Sequence, residues 1–465
     1  MALMPLSWKL SPAKEAPYFS PLDLLLPILA VLMVMDLIMR RSWARFGIPP
    51  VPGILWAGVA ALSLLWSYDP PALAALKTWA HGALNPFLFG LAAVWVFQNL
   101  ADEAAEYRRL ALILLGSFGV CVLWALYQYV GREGLPYDPY LPERDLQGVS
   151  NYRVAGWYDY RDVFGAQAAL LVPAAGAFAL LDKDAAVRWA GGAVALLALC
   201  VTLAAGGFVG ACAGIIAVAA AFALSRCTLT GVAVLGILLA LVVVVLPRLP
   251  RHNPKVLFRG LAFFAEHKDE MKPTAGLRRH QAVLDLLAAP SNGQNQEGAP
   301  YWLKGVGAGR YQERINQFYE HEPPYPYVRP GERTDDETVF DMEAHEKFSF
   351  GLLETVAVEL GVPGLLAVLF LLASWIAAAQ GAFARLASPA PPSGPDTRRE
   401  IGALLALAAL GAGCGALVLS LFGNPAIRGV GGSFAFFFAV ALCAARWAQE
   451  PQTNAAQVGT ADERR

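Results

Sequence analysis

Leu110-Ala-Leu-Ile-Leu-Leu-Gly-Ser-Phe-Gly-Val-Cys-Val-Leu-Trp-Ala-Leu-Tyr-Gln-Tyr-Val130 runs its whole length without a charged side chain. A helix of about 20 apolar residues, rising 1.5 Å per residue, reaches across a hydrocarbon core about 30 Å thick. Similar runs recur on both sides of it. Together they predict spans near residues 21–39, 50–68, 82–99, 110–130, 162–181, 190–206, 208–225, 229–247, 350–377, 401–422 and 431–446. Backbone amides find no water inside a bilayer, so spans of this length must be helical. The expected fold is an all-α polytopic membrane protein of about 11 transmembrane helices, give or take one, with one large polar insert.

Composition points the same way. Of 465 residues, 56% are hydrophobic and 16% charged, against about 25% charged in ordinary soluble domains. The net charge of -1 gives no sign of a nucleic-acid partner. Cys121, Cys200, Cys212, Cys227, Cys414 and Cys443 all lie in or at the ends of apolar segments. That distribution argues against a disulfide framework or a cysteine-ligated zinc, and for small packing residues. The first twenty residues lack the pattern of a cleavable signal, so the first apolar segment is expected to stay as an anchor. Asp36, near the end of that segment and one turn from Arg40, reads as a snorkelling side chain.

The chain divides into an N-terminal transmembrane bundle over 1–247, a polar insert over 248–348, and C-terminal transmembrane helices over 349–448. Residues 449–465 read as a disordered tail, and Pro389 to Pro395 as an extended linker. The first part carries about eight spans and the outer loop 131–161, and the last part about three. No internal repeat is evident, so the inverted repeats of a secondary transporter are not expected.

Cytoplasmic loops retain Lys and Arg. Arg40, Arg41, Arg45, Arg108, Arg109, Lys183, Arg188, Arg226, Arg385, Arg398, Arg399 and Arg446 fall on one side under this span count. That side is expected to be the cytoplasm, which puts the 131–161 loop, the insert and the 423–430 turn on the outer face. Arginines on the outer side, such as Arg153, Arg161, Arg278, Arg279, Arg310 and Arg428, then hint at function.

The insert holds five of the six histidines: His252, His267, His280, His321 and His345. Directly before the ninth span runs Asp335-Asp336-Glu337-Thr-Val-Phe-Asp341-Met-Glu343-Ala344-His345-Glu346. In a helix, Asp341 and His345 share a face at i and i+4, and the carboxylate would orient the imidazole and raise its basicity. That suits a general base for a sugar hydroxyl. A solvated acidic helix cap with an incidental histidine is the plainer account, and a divalent cation on Asp341, Glu343 and His345 is a third.

Arginine forks suit phosphate oxygens. Candidates are Gly276-Leu-Arg278-Arg279-His280, which precedes the helix-like run 281–289, and Tyr301-Trp302-Leu-Lys304-Gly305-Val-Gly307-Ala-Gly309-Arg310-Tyr311. The glycines of the second segment let backbone approach a ligand closely, though alone they are weak evidence for a nucleotide site. In the 131–161 loop, Tyr152-Arg153-Val-Ala-Gly156-Trp157-Tyr158-Asp159-Tyr160-Arg161-Asp162 joins two arginines to four aromatics. Trp157 and Tyr158 could stack on sugar faces or form an interfacial aromatic belt.

In their order along the chain these pieces resemble the O-antigen ligases and the related O-antigen polymerases. Trp66-Ser67-Tyr68-Asp69-Pro70 is similar to that family's Ser-x-Asp-Pro turn. Arg153-Val-Ala-Gly156 with Asp162-Val-Phe-Gly165 and Pro173 resembles its Arg-x-x-Gly region, with Asp162 where Asn is usual. Gly276-Leu-Arg278 and Gly305-Val-Gly307-Ala-Gly309 resemble its Gly-Arg helix and Gly-x-Gly-x-Gly loop. Ala344-His345 followed by Glu359-Leu-Gly361-Val-Pro-Gly364 resembles its Ala-His-Asn and Glu-x-Gly-x-x-Gly signature. The chain departs at Ala204-Ala205-Gly206, where Ser-Arg-Gly is usual, at Glu346 in place of Asn, and in a His345-to-Gly361 spacing that is longer than the ligase pattern. Arg153, Arg161 or Arg310 is expected to take the missing arginine's place.

The resemblance implies a GT-C-like, metal-independent glycosyltransferase of the bacterial inner membrane, with its active site on the periplasmic face and no cofactor. The implied donor is an undecaprenyl-diphosphate-linked glycan, and the acceptor a hydroxyl of lipid A-core or of a growing polysaccharide. His345 would be the catalytic base, with Arg153, Arg161, Arg278, Arg279, Arg310, Asp341, Trp157 and Tyr158 binding substrate. A polysaccharide transporter or flippase, or a non-catalytic membrane assembly protein, is the alternative.

Overall fold

The computed structural model describes residues 8–9, 18–19, 28, 29, 31, 32, 35, 39, 51–67, 93–99, 103–131, 161–202, 208–226, 283–289, 300–307, 311, 351–388, 397–422 and 431–449. Apart from a two-residue antiparallel pairing of β1 (Trp8–Lys9) with β2 (Tyr18–Phe19), the elements are helical. They are α1 (Val51–Ser67), α2 (Ala104–Gly131), α3 (Arg161–Leu181), α4 (Ala185–Thr202) and α5 (Phe208–Arg226). After the short insert helix α6 (Tyr301–Lys304) come α7 (Leu352–Ala387), α8 (Thr397–Phe422) and α9 (Gly431–Trp447). Five helices are long and apolar enough to cross a membrane, namely α2, α3, α4, α7 and α8, with shorter apolar helices at 210–225 and 431–447. Among the described residues, apart from that short strand pair, the protein is thus a helical membrane protein. The predicted spans 21–39, 82–99 and 229–247 fall wholly or partly outside the described residues, as does the 131–160 loop.

Helix ends differ from the predicted spans in a consistent way. The expected 350–377 and 401–422 spans extend to Ala387 and start at Thr397. Hydropathy marks where lipid begins, whereas the backbone ladder continues through polar residues such as Arg385 and Glu400 until a cap ends it. α4 begins at Ala185, ahead of the expected 190–206, because Asp184 opens it by accepting the Ala186 N–H at 2.9 Å, and 203–206 lie outside the described residues.

α8 is the central element and packs against α2, α3, α5, α7 and α9. α3 is slightly more enclosed still, whereas α4 lies on the periphery and keeps most of its surface outward. The aromatic side of α9 fills one flank, where Phe438 stacks on Trp375 at 5.4 Å and Phe434 meets the same ring edge-on at 5.0 Å. Outward side chains such as Ile113, Val120, Leu123, Trp189 and Phe370 are large and apolar, the pattern of a bundle whose outer solvent is lipid. Cys121 and Cys443 are buried, Cys200, Cys212 and Cys414 are half-buried, and all five are free thiols.

One end of the bundle is laced with charges. Arg108 holds Asp182 in a two-bond fork, Nε to Oδ2 at 2.8 Å and Nη2 to Oδ1 at 2.7 Å. Lys183 meets Glu400 at 2.5 Å. Arg399 donates to the carbonyls of Arg385, Leu386 and Ser388, closing the C-terminus of α7. Arg446 donates to Gln98 O at 2.9 Å. These residues include many of those assigned by the charge count to one side, and their bonds tie that side together.

Candidate functional site

The opposite end is marked by a break in α7. Gly361 takes φ 65° and ψ -163° inside an otherwise helical run, a backbone region open essentially to glycine alone. Straight, α7 would be about 54 Å long and α8 about 39 Å at 1.5 Å per residue. Yet the two helices meet at both ends: Arg399 bonds Leu386 O, and a Cβ on Gly351 would lie 3.0 Å from Leu421 O. The bend at Gly361 takes up the difference. From Ala387 back to Gly361 the helix covers about 39 Å, so the break lies far from the charged end of the bundle.

Pro363 follows two residues later. Having no N–H, it leaves unfilled the carbonyl four residues back, that of Glu359. The polar insert fills it. Gly307 N–H donates to Glu359 O at 2.8 Å, and Val306 N–H donates to Val358 O at 2.8 Å. Gly305 and Gly307 have φ of 76° and 106°. The contact is backbone against backbone: a Cβ on Gly305 would lie 2.6 Å from Leu360 N, and one on Gly361 would lie 2.6 Å from Leu303 O. Glycine is required on both sides of this joint.

Side chains complete it. The Glu359 side chain is buried, and the Tyr311 N–H reaches its Oε1 at 3.4 Å. Val283, Leu286, Val306, Tyr311 and Val358 form a small apolar core, with Leu287 and Tyr301 against it. Residues 283–288 are helical, within the expected 281–289 run, and Ala289 O accepts the Tyr301 N–H at 3.2 Å. Two parts of the insert therefore converge on the broken helix. Leu284, Trp302 and Leu303 remain exposed beside it.

Of the expected site residues, Arg161 opens α3 by its backbone. His345, Arg153, Trp157, Tyr158, Arg278, Arg279, Arg310 and Asp341, together with Glu343, lie outside the described residues. What comes together instead is two of the motifs read in the sequence: Gly305-Val-Gly307 and Glu359-Leu-Gly361-Val-Pro-Gly364. Sequence reading did not pair them, nor did it single out Tyr311 or Val306. The signal was Pro363, whose place four residues after Glu359 frees a carbonyl for an outside donor. Comparison with known proteins finds no family model that matches the chain and no curated protein that matches it.

Proposed function

We propose that the protein is a membrane glycosyltransferase of the O-antigen ligase or polymerase type. It moves an undecaprenyl-diphosphate-linked glycan to an acceptor hydroxyl on lipid A-core or a growing polysaccharide, at the periplasmic face of the bacterial inner membrane. The supporting observation is the joint just described. The insert's glycine loop seats on the break in α7, so the polar segment richest in titratable residues is anchored to a membrane helix, as handling a lipid-linked polar substrate requires.

In this reading the acceptor hydroxyl oxygen attacks the anomeric carbon as the bond to the diphosphate oxygen breaks. His345 takes the hydroxyl proton. Undecaprenyl diphosphate leaves, its negative charge met by Arg153 and Arg278 with Arg161, Arg279 and Arg310 in support. No nucleotide sugar, metal or other cofactor is called for, because the carrier already supplies the activated bond.

Purified protein given a lipid-linked glycan and an acceptor should release free undecaprenyl diphosphate, and His345→Ala should abolish release while leaving the protein in the membrane. Unchanged product from His345→Ala would remove the histidine from the mechanism. A buried carboxylate at a broken transmembrane helix, Glu359 beside Gly361, also favours a second reading, a polysaccharide transporter or flippase. In that case glycan crosses a vesicle membrane with its diphosphate bond intact.

A further inference from the structure

Transfer as outlined needs reacting groups from the insert to be fixed against a lipid substrate that the bundle flanks, yet it gives no role to the break in α7 itself. Three observations converge there. The carbonyls of Val358 and Glu359 are bonded by insert N–H groups at 2.8 Å. Gly305 and Gly361, both at positive φ, abut with no room for a Cβ. And Glu359, 1% exposed, brings a carboxylate into the joint with an oxygen aligned on the Tyr311 N–H. A buried carboxyl group needs polar partners, and the Tyr311 N–H supplies one. An apolar residue would fill the same turn of helix without it, so the carboxyl group at this position has a use beyond packing.

We infer that the Gly361 break is a docking seat that fixes the insert against the N-terminal part of α7, with Glu359 as its positioning residue. The main-chain bonds hold Val306 and Gly307, and the Glu359 side chain sets where the insert chain comes back at Tyr311. One residue of α7 thus fixes both Gly307, through its carbonyl, and Tyr311, through its carboxylate. The role assigned to Glu359 in turnover rests on the transfer reading above; the seat itself does not.

The test uses the full chain in native membranes with its six cysteines replaced by alanine or serine, carrying Val306→Cys and Val358→Cys. These positions share a backbone hydrogen bond and a buried apolar cluster, so mild oxidation should join them, as read by mass spectrometry of the linked peptides. Glu359→Leu in that background should lower the yield of the cross-link and slow transfer by about 100-fold, the penalty for displacing reacting groups by about 1 Å. Glu359→Gln keeps a side-chain oxygen acceptor and should restore both. Absence of the cross-link in a chain that still transfers glycan overturns the seat. Equal cross-linking and turnover in Glu359→Leu removes the positioning role from Glu359. A cross-link formed in a chain that never releases undecaprenyl diphosphate leaves the seat standing and overturns the transfer reading instead.

Discussion

Asp182 is a carboxylate whose side chain is fully buried, at the end of a transmembrane helix, and it is tolerable there for one reason. Arg108 closes on both of its oxygens, and the Asp184 N–H adds a further bond at 2.9 Å. Desolvating such a pair costs nearly as much as the attraction returns, so the pair as a whole adds little net stability, whereas breaking it is expensive. Arg108→Met should therefore destabilise the fold by about 3 kcal/mol, since it strands a buried negative charge. The double variant Arg108→Met with Asp182→Leu should lose markedly less than Arg108→Met alone. Reversible unfolding in mixed detergent micelles measures both. A double variant worse than the single would mean that the pair carries net stability. Arg108→Lys should also fall short of wild type, because an ammonium cannot reproduce the planar fork.

Helices α3, α5 and α8 meet along a seam made by small residues. Gly210 and Gly214 on α5 face Gly411 and Gly415 on α8, two copies of the Gly-x-x-x-Gly spacing that lets membrane helices approach closely. A Cβ on Gly214 would lie 2.6 Å from Gly411 O, and one on Gly210 would lie 3.0 Å from Gly415 O. Pro173 in α3 has no N–H for the carbonyl four residues back, that of Ala169. Gly415 comes up against that same carbonyl, so the freed oxygen faces a neighbouring Cα instead of lipid. Gly415→Leu should accordingly separate the three helices and destabilise by about 3 kcal/mol or more. Gly381→Ala, at a helical glycine with nothing within 4 Å of a Cβ, should be neutral or stabilising by up to about 1 kcal/mol. The same micelle titration distinguishes them, and equal effects would show that the seam is not close-packed. The apolar runs made α2, α3, α5, α8 and α9 legible in sequence to within a few residues, apart from the polar ends of α2 and α8, because burial in lipid imposes length and composition together. Neither the seam nor the Gly361 break could be read that way. Hydropathy gives a glycine the same value whether it lines open space or touches a carbonyl on another helix, and the pairing of Gly305 with Gly361 depends on contacts far apart along the chain.

The two ends of the molecule differ in chemistry, and the difference bears on how it sits in a membrane. Arg108, Lys183, Arg399 and Arg446 gather at one end with their partners Asp182, Glu400 and the carbonyls of α7 and residue 98. The glycine-loop joint lies at the other, about 39 Å along α7 by helical rise. Counting Lys and Arg in the connections assigned the first end to the cytoplasm, a rule that describes insertion and so is independent of any contact in the folded bundle. Each of these residues bonds a partner on a neighbouring element, so they cannot be divided between two faces of the bilayer without dismantling the bundle. One measurement therefore orients the whole chain. A fluorescent reporter that matures only in the cytoplasm, fused after Ser388 in the α7–α8 connection, should fluoresce in cells. A phosphatase active only outside the cytoplasm should be inactive at the same point and active when inserted in the polar segment at Gly293. The reverse pattern would put the insert in the cytoplasm, out of reach of a glycan carried on the outer leaflet. It would end the transfer proposal while leaving the helical packing untouched.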